Sequence, residues 1–131
     1  MTAGGLYYYG DASGKHRDTR GLETDYDIIE RMFSKYISNT SNRVANKNPG
    51  LNKRRMFQNR IFEDKLPVRV TIDPKCKNLI ADFEYLKETP DGTKFKQTVR
   101  DEKAGVSYEK YGHCSDDYDY FMCSAFESYL D

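Results

Sequence analysis

The apolar residues of this chain switch back and forth between the two-residue period of a strand and the 3.6-residue period of a helix, and turn or cap residues mark each switch. Leu6 to Tyr9 is short, aromatic and bounded by glycines, which reads as a buried strand. Residues 11–22 hold Gly14, Lys15, His16, Arg17, Arg20 and Gly21 and read as a loop leaving it. Ile28, Ile29, Met32, Phe33, Tyr36 and Ile37 recur at helical spacing behind Thr24 and Asp27, a pair that resembles a capping box. After the polar loop Ser38 to Asn42, Val44-Ala45 reads as a short strand. Asn48-Pro49 opens a second helix reaching about Phe62, with Leu51, Phe57 and Ile61 inward and Lys53, Arg54 and Arg60 outward. Leu66, Val68, Val70 and Ile72 alternate as one face of a strand. Asp73-Pro74 opens a third helix that buries Cys76, Leu79, Ile80 and Phe83. Thr89 to Thr93 is a tight turn between the arms of a small hairpin, residues 85–88 and 95–99. Residues 100–112 read as a charged loop. A last helix starts near Ser115 and carries Tyr118, Phe121, Met122, Ala125, Phe126 and Tyr129.

Alternation of this kind predicts an α/β layer with a parallel sheet. At 131 residues, with no repeat, low-complexity tract or linker, the chain reads as one domain. Hydrophobic residues make up only 37%, but eleven Tyr supply large rings with polar tips, so a packed core is within reach. Lys and Arg balance Asp and Glu at 21 each, so any nucleic-acid binding must come from local patches. Three cysteines without a CxxC pair, and two His, argue against a structural zinc site or a disulfide framework, and the thiols fit a reducing cytosol. No apolar run approaches the roughly eighteen residues of a membrane span, and no basic-plus-apolar leader opens the chain. The expectation is a soluble cytoplasmic protein with no membrane partner. No GxxxxGK[ST] loop is present, so no Walker-type ATP site is expected.

Two acidic motifs lie near the ends. Tyr7-Tyr8-Tyr9-Gly10-Asp11-Ala12-Ser13-Gly14 places a carboxylate just past the first strand, and Gly112-His113-Cys114-Ser115-Asp116-Asp117 places two more at the start of the last helix. In open α/β sheets ligands sit beyond the carboxyl ends of strands. Carboxylates without a His/Cys cluster suit Mg²⁺ or Mn²⁺ over zinc, and two such ions about 4 Å apart clamp both oxygens of a phosphodiester displacement. Asp11, Asp116 and Asp117 are therefore the candidate metal ligands, and Lys15, Arg17, Arg20, Lys53, Arg54 and Arg55 the candidate phosphate contacts. Plainer readings compete at every position. Asp11 turns the chain, Asp73 caps a helix, and Asp116 and Asp117 complement a helix dipole. Lys53-Arg54-Arg55 is a solvated helix face, and His113 beside Cys114 is a weak nucleophilic dyad because sequence neighbours seldom face each other.

The series Tyr9 to Lys15, Asp25-Tyr26-Asp27-Ile28-Ile29, Asn48-Pro49, Ile72 to Ile80 with Asp82-Phe83-Glu84, and Gly112 to Asp116 with Asp119-Tyr120 resembles the C-terminal nuclease domain of tailed-phage terminase large subunits. The resemblance covers nearly the whole chain. It implies an RNase H-like three-layer core, here the parallel-strand half with a small β-hairpin before the last helix. It also implies a metal-dependent endonuclease that cuts concatemeric double-stranded DNA in the bacterial host cell, encoded by a phage or prophage. The family's partners are an ATPase motor domain, a small terminase subunit and the portal. Its site uses three acids. The second corresponds to Asp11 and the third to Asp116, with Asp117 as a neighbour able to assist. Asp11 and Asp116 are then the catalytic acids and, with Asp117, the ligands of Mg²⁺ or Mn²⁺ in a two-metal site. Ser13, Lys15, Arg17, Arg20, Lys53 and Arg54 would contact DNA.

Only ten residues precede Asp11, so the family's first acid and the strands around it have no counterpart here, and the chain reads as a partial nuclease domain spanning residues 1–131. The expectation is weak or incomplete metal binding, little or no cleavage by the chain alone, and self-association through an open first strand. The competing expectation is a non-catalytic remnant that holds DNA or a packaging partner. A stand-alone metal-dependent phosphatase or other hydrolase is a third class.

Overall fold

The computed structural model describes residues 4–17 and 21–130. It is a mixed α/β structure with four α-helices and three two-stranded sheets among the described residues. The chain divides into two compact units, residues 1–49 with 120–127, and residues 50–119 with 128–131.

The first unit is built on two short parallel strands, β1 (Leu6–Tyr8) and β2 (Thr40–Asn42), paired Leu6 to Thr40 and Tyr8 to Asn42. The connection between them carries a 3-10 turn, Ala12–Lys15, and helix α1 (Asp25–Phe33). Thr24 and Asp27 form the expected capping box, each side chain taking the other's backbone N–H. α1 stops at Phe33, earlier than Ile37, because the Phe33 carbonyl accepts from both Tyr36 and Ile37 and the last turn tightens. Glu30 of α1 ties the two strands together. One carboxylate oxygen accepts from Tyr8 Oη at 2.7 Å and the other from the Thr40 hydroxyl. Burial and Glu30 push the Tyr8 phenol up to about 12. Tyr8 stacks on Tyr26, Tyr9 meets Phe121 edge-on, and Ala12, Tyr26, Val44, Met122 and Cys123 are buried.

The second unit packs α2 (Leu51–Phe62) and α3 (Lys77–Tyr85) with the start of α4 (His113–Ala125), whose residues from Tyr120 onward belong to the first unit. Phe62, Phe83 and Tyr118 form an edge-to-face run across these three helices. Phe57, Ile61 and Val68 are buried. α2 starts after Gly50, not Asn48, and beyond its end Asp64 takes φ 54°, which lets Lys65 N–H reach the Arg60 carbonyl. Residues 66–72 form neither strand nor helix. Val68 is buried and its neighbours alternate as expected, yet no strand pairs with the segment among the described residues. Asp73 accepts from Lys75 N–H in a turn ahead of α3, so it is not the helix cap. The expected hairpin is β3 (Lys87–Glu88) with β4 (Lys94–Phe95). The segment expected as a charged loop is largely a second hairpin, β5 (Thr98–Asp101) with β6 (Val106–Glu109), closed by Gly105 at φ 69°. No helix among the described residues is long and apolar enough to cross a membrane.

Candidate functional site

Asp11 leaves β1 and caps the 3-10 turn. Its Oδ1 accepts from Ser13 N–H at 2.7 Å and from Asn48 Nδ2 at 2.6 Å. Asn48 answers with its own oxygen, which accepts Ala12 N–H at 2.8 Å. Tyr26 donates from Oη to the Asp11 carbonyl at 2.7 Å and lays its ring along the loop. A Cβ on Gly10 would sit 2.4 Å from Tyr26 Oη, and one on Gly14 would sit 2.8 Å from Tyr26 Cε2. The two glycines of the motif are therefore explained by the approach of one ring. Burial raises the Asp11 carboxyl, but hydrogen bonds from Asn48, Ser13 and Tyr120 outweigh it and hold the group below its ordinary value.

Asp116 sits in a different setting. The buried Asp82 of α3 reaches the start of α4 and accepts from Gly112 N–H and Ser115 N–H, both at 2.9 Å. This carboxylate from another helix satisfies donors that the first turn of α4 leaves open. It also fixes the position of Asp116, one residue on. Three cations converge there. Lys94 of β4 donates to Asp116 Oδ1 at 2.9 Å, Lys96 lies 2.6 Å from Oδ2, and Arg54 Nη1 lies 3.6 Å from Oδ1. Lys94 also donates to Asp119 at 2.7 Å and to the Ser115 hydroxyl at 3.1 Å, and Lys96 pairs with Glu109 at 3.2 Å. Burial raises Asp116, but Lys96 and Lys94 hold it below its ordinary value. Asp119 moves the other way. Its burial raises it, Asp116 adds to the rise, and Lys94 and Arg54 do not cancel it. Lys94 and Asp119 also border a cavity of about 180 Å³ in this unit, walled by Leu51, Leu86 and Arg55.

The remaining expected residues scatter. Asp117 is exposed on α4, Ser13 and Arg17 are exposed on the loop after Asp11, and Lys53 is exposed on α2. Arg20 lies outside the described residues. Lys15 is held inward, its ammonium on the Val44 carbonyl and Asn46 Oδ1. Arg54, expected on an outer face, is 6% exposed and faces Asp116. His113 pairs with Glu109, while burial, Asp82 and Asp117 push the Cys114 thiol up, which is the wrong direction for a nucleophile. Lys94 and Lys96 matter most and were not singled out, while Asn48 and Asp82 were noted within motifs but not for these contacts. Lys94 and Lys96 flank Phe95 at the two-residue spacing of one strand face, which is the one signal the sequence offered.

Asp11 belongs to the first unit and Asp116 to the second, and each carboxylate is held by neighbours of its own unit. No group of three or more His, Cys, Asp or Glu side chains among the described residues is placed to hold a metal ion. The Asp116 donor set does not fit a divalent cation unless ammonium groups leave it.

No family model matches the chain, and neither curated proteins nor solved structures yield a match.

Proposed function

We propose that this chain is a C-terminal nuclease segment of a tailed-phage terminase large subunit, RNase H-like in fold, belonging to a protein that cuts double-stranded DNA during packaging in a bacterial cytoplasm. One observation supports the reading above the others. The segments that carry the resemblance are the ones that hold each other in place. Asn48 and Tyr26 hold the Gly10-to-Gly14 loop, and Asp82 holds the Gly112-to-Asp116 segment. On this reading Asp11 and Asp116 are the second and third acids of the family's site, and the exposed Ser13, Arg17 and Lys53 are DNA contacts. The metal requirement, Mg²⁺ or Mn²⁺, belongs to the family's activity. Isothermal titration with Mn²⁺ on the intact chain, Asp11→Asn and Asp116→Asn tests the assignment. Weak heat from the intact chain, reduced in both variants, is expected. Equal heat from all three sinks it.

A second reading, a non-catalytic module that holds DNA or a packaging partner, is favoured by the three cations already on Asp116. It predicts duplex binding that falls steeply with added salt, without plasmid nicking. Nicking in Mn²⁺ that disappears in Asp116→Asn excludes it.

A further inference from the structure

We propose that the outer face of α1 docks on the same face of a second copy of this chain, the two helices running antiparallel about a two-fold axis near Glu30. The contact does not depend on the nuclease reading. The inner face of α1 is already in use. Tyr26 is buried against the Asp11 loop, and Glu30 holds β1 and β2. On the outside, Ile28, Met32 and Tyr36 follow at four-residue steps through α1 and the turn after it, all exposed, with Phe33 beside them. Leu22, ahead of the Thr24 cap, extends the patch. Leu22 and Tyr36, each 87% exposed, are the most exposed large apolar side chains among the described residues. A stripe of this length adds nothing to the packing of its own chain, and a contiguous apolar patch of this kind marks a contact surface.

Charge selects the occupant. Acids lie at the start of the patch, Glu23, Asp25 and Asp27, and bases at its end, Arg31 and Lys35. The acidic end disfavours an anionic membrane surface, and the two signs disfavour a partner of uniform charge. The patch does match itself when turned end for end. A two-fold at Glu30 sets Asp25 level with Lys35 of the second copy and Ile28 level with its Met32, and it brings Leu22 towards its Tyr36. A parallel arrangement would set Asp25 on Asp25 and Lys35 on Lys35, so the charges also fix the direction. Glu23 and Arg31 pair with each other at 3.2 Å, whereas Asp25 and Lys35 take part in no ion pair among the described residues and are available. Five apolar side chains a copy are far fewer than the residues of a standard interface. The association is therefore weak and concentration-dependent, with a dissociation constant on the order of 100 μM.

The test is sedimentation velocity on the full chain from about 10 μM to about 1 mM, a range that brackets this constant, with amide NMR shifts recorded alongside. The parent chain is expected to pass from monomer to dimer, with concentration-dependent shifts confined to residues 22–37. Met32→Glu, at an exposed position, is expected to stay monomeric throughout. Lys35→Glu sets like charges together at both ends and should weaken association about tenfold. Asp25→Lys added to Lys35→Glu restores opposite charges and should recover it, whatever either substitution does to the stability of the monomer. A parent chain that remains monomeric over the whole range overturns the contact and leaves the face to a partner of other sequence. A dimer whose shifts map to Tyr7 and the edge of β1, or that Met32→Glu does not weaken, overturns it as well. Equal weakening in Lys35→Glu and in the double variant overturns the antiparallel arrangement.

Discussion

Asp11 and Asp116 are kept ionised by opposite means. Asp11 is held by neutral donors, an amide, a backbone N–H and a phenol, and it keeps its full negative charge toward its surroundings. Asp116 is held by lysines and an arginine, and its charge is cancelled where it stands. The first arrangement leaves the carboxylate charge without a cationic partner among its hydrogen bonds. The second balances the carboxylate charge within an ion-pair cluster. A depressed carboxyl pKa is common to both, so pKa alone does not distinguish a carboxylate held by neutral donors from one held by cations. The identity of the depressing group does.

That contrast depends on the frame around each acid, and the largest expected effect comes from breaking the frame of Asp116. Asp82→Ala strands two buried N–H donors at the start of α4 and should lower unfolding free energy in urea by about 3 kcal/mol. A loss below about 1 kcal/mol would mean that Asp82 does not fix the helix start. The frame of Asp11 is steric. Gly10→Ala drives a methyl into Tyr26 Oη and should cost about 2 kcal/mol, with Tyr26→Phe in the same chain recovering part of it. Additive losses in the double variant would place the strain elsewhere. Asn48→Ala removes one neutral hydrogen bond to Asp11 and an acceptor for Ala12 and should cost about 1 kcal/mol, equally at low and high salt. A salt-dependent loss would show that Asp11 is not held by neutral groups.

The smallest effect is in the pH profile. Asp11 and Asp116 have folded pKa values below the ordinary 3.8, so the stability they contribute is full above that value and is lost as pH falls below it. Asp119, raised above 3.8, works in reverse and gains relative stability on protonation as the pH falls toward 3.8. Chemical unfolding between pH 5 and 3 should therefore show a shallower acid loss in Asp116→Asn than in the parent chain, and a steeper one in Asp119→Asn. Identical slopes in all three would mean that these carboxyls do not couple to folding. The pH limits follow from ordinary carboxylate values of about 4.

Helices were legible in this sequence because their signals are local. The Thr24–Asp27 capping box and the apolar spacing of α1 through α4 depend on residues a turn apart. Strands were harder, since a strand is defined by a partner that periodicity does not supply. Residues 66–72 alternate in burial and pair with nothing among the described residues, while the polar Thr40-Ser41-Asn42 pairs with β1 because Glu30 and Tyr8 hold it there. The β5–β6 hairpin from Arg100 onward was read as a charged loop because Arg100, Asp101 and Glu109 interrupt it and its apolar residues Val106 and Tyr108 are exposed. At the site, the positions of Asp11 and Asp116 followed from their motifs. Their partners did not, because Lys94 lies 22 residues from Asp116 and Asp82 lies 30 and 33 residues from the N–H groups it holds. The polar Asn48 looked like a helix cap until Asp11 supplied it with a different task.

Tyr26 has a consequence for how this loop is able to change over generations. One ring excludes a side chain at Gly10 and at Gly14 and supplies the donor to the Asp11 carbonyl. The three positions form a single unit of mutational drift. A smaller residue at 26 would release both glycines at once, and while the ring remains neither glycine can drift independently. Aligned relatives should therefore lose all three together or keep all three.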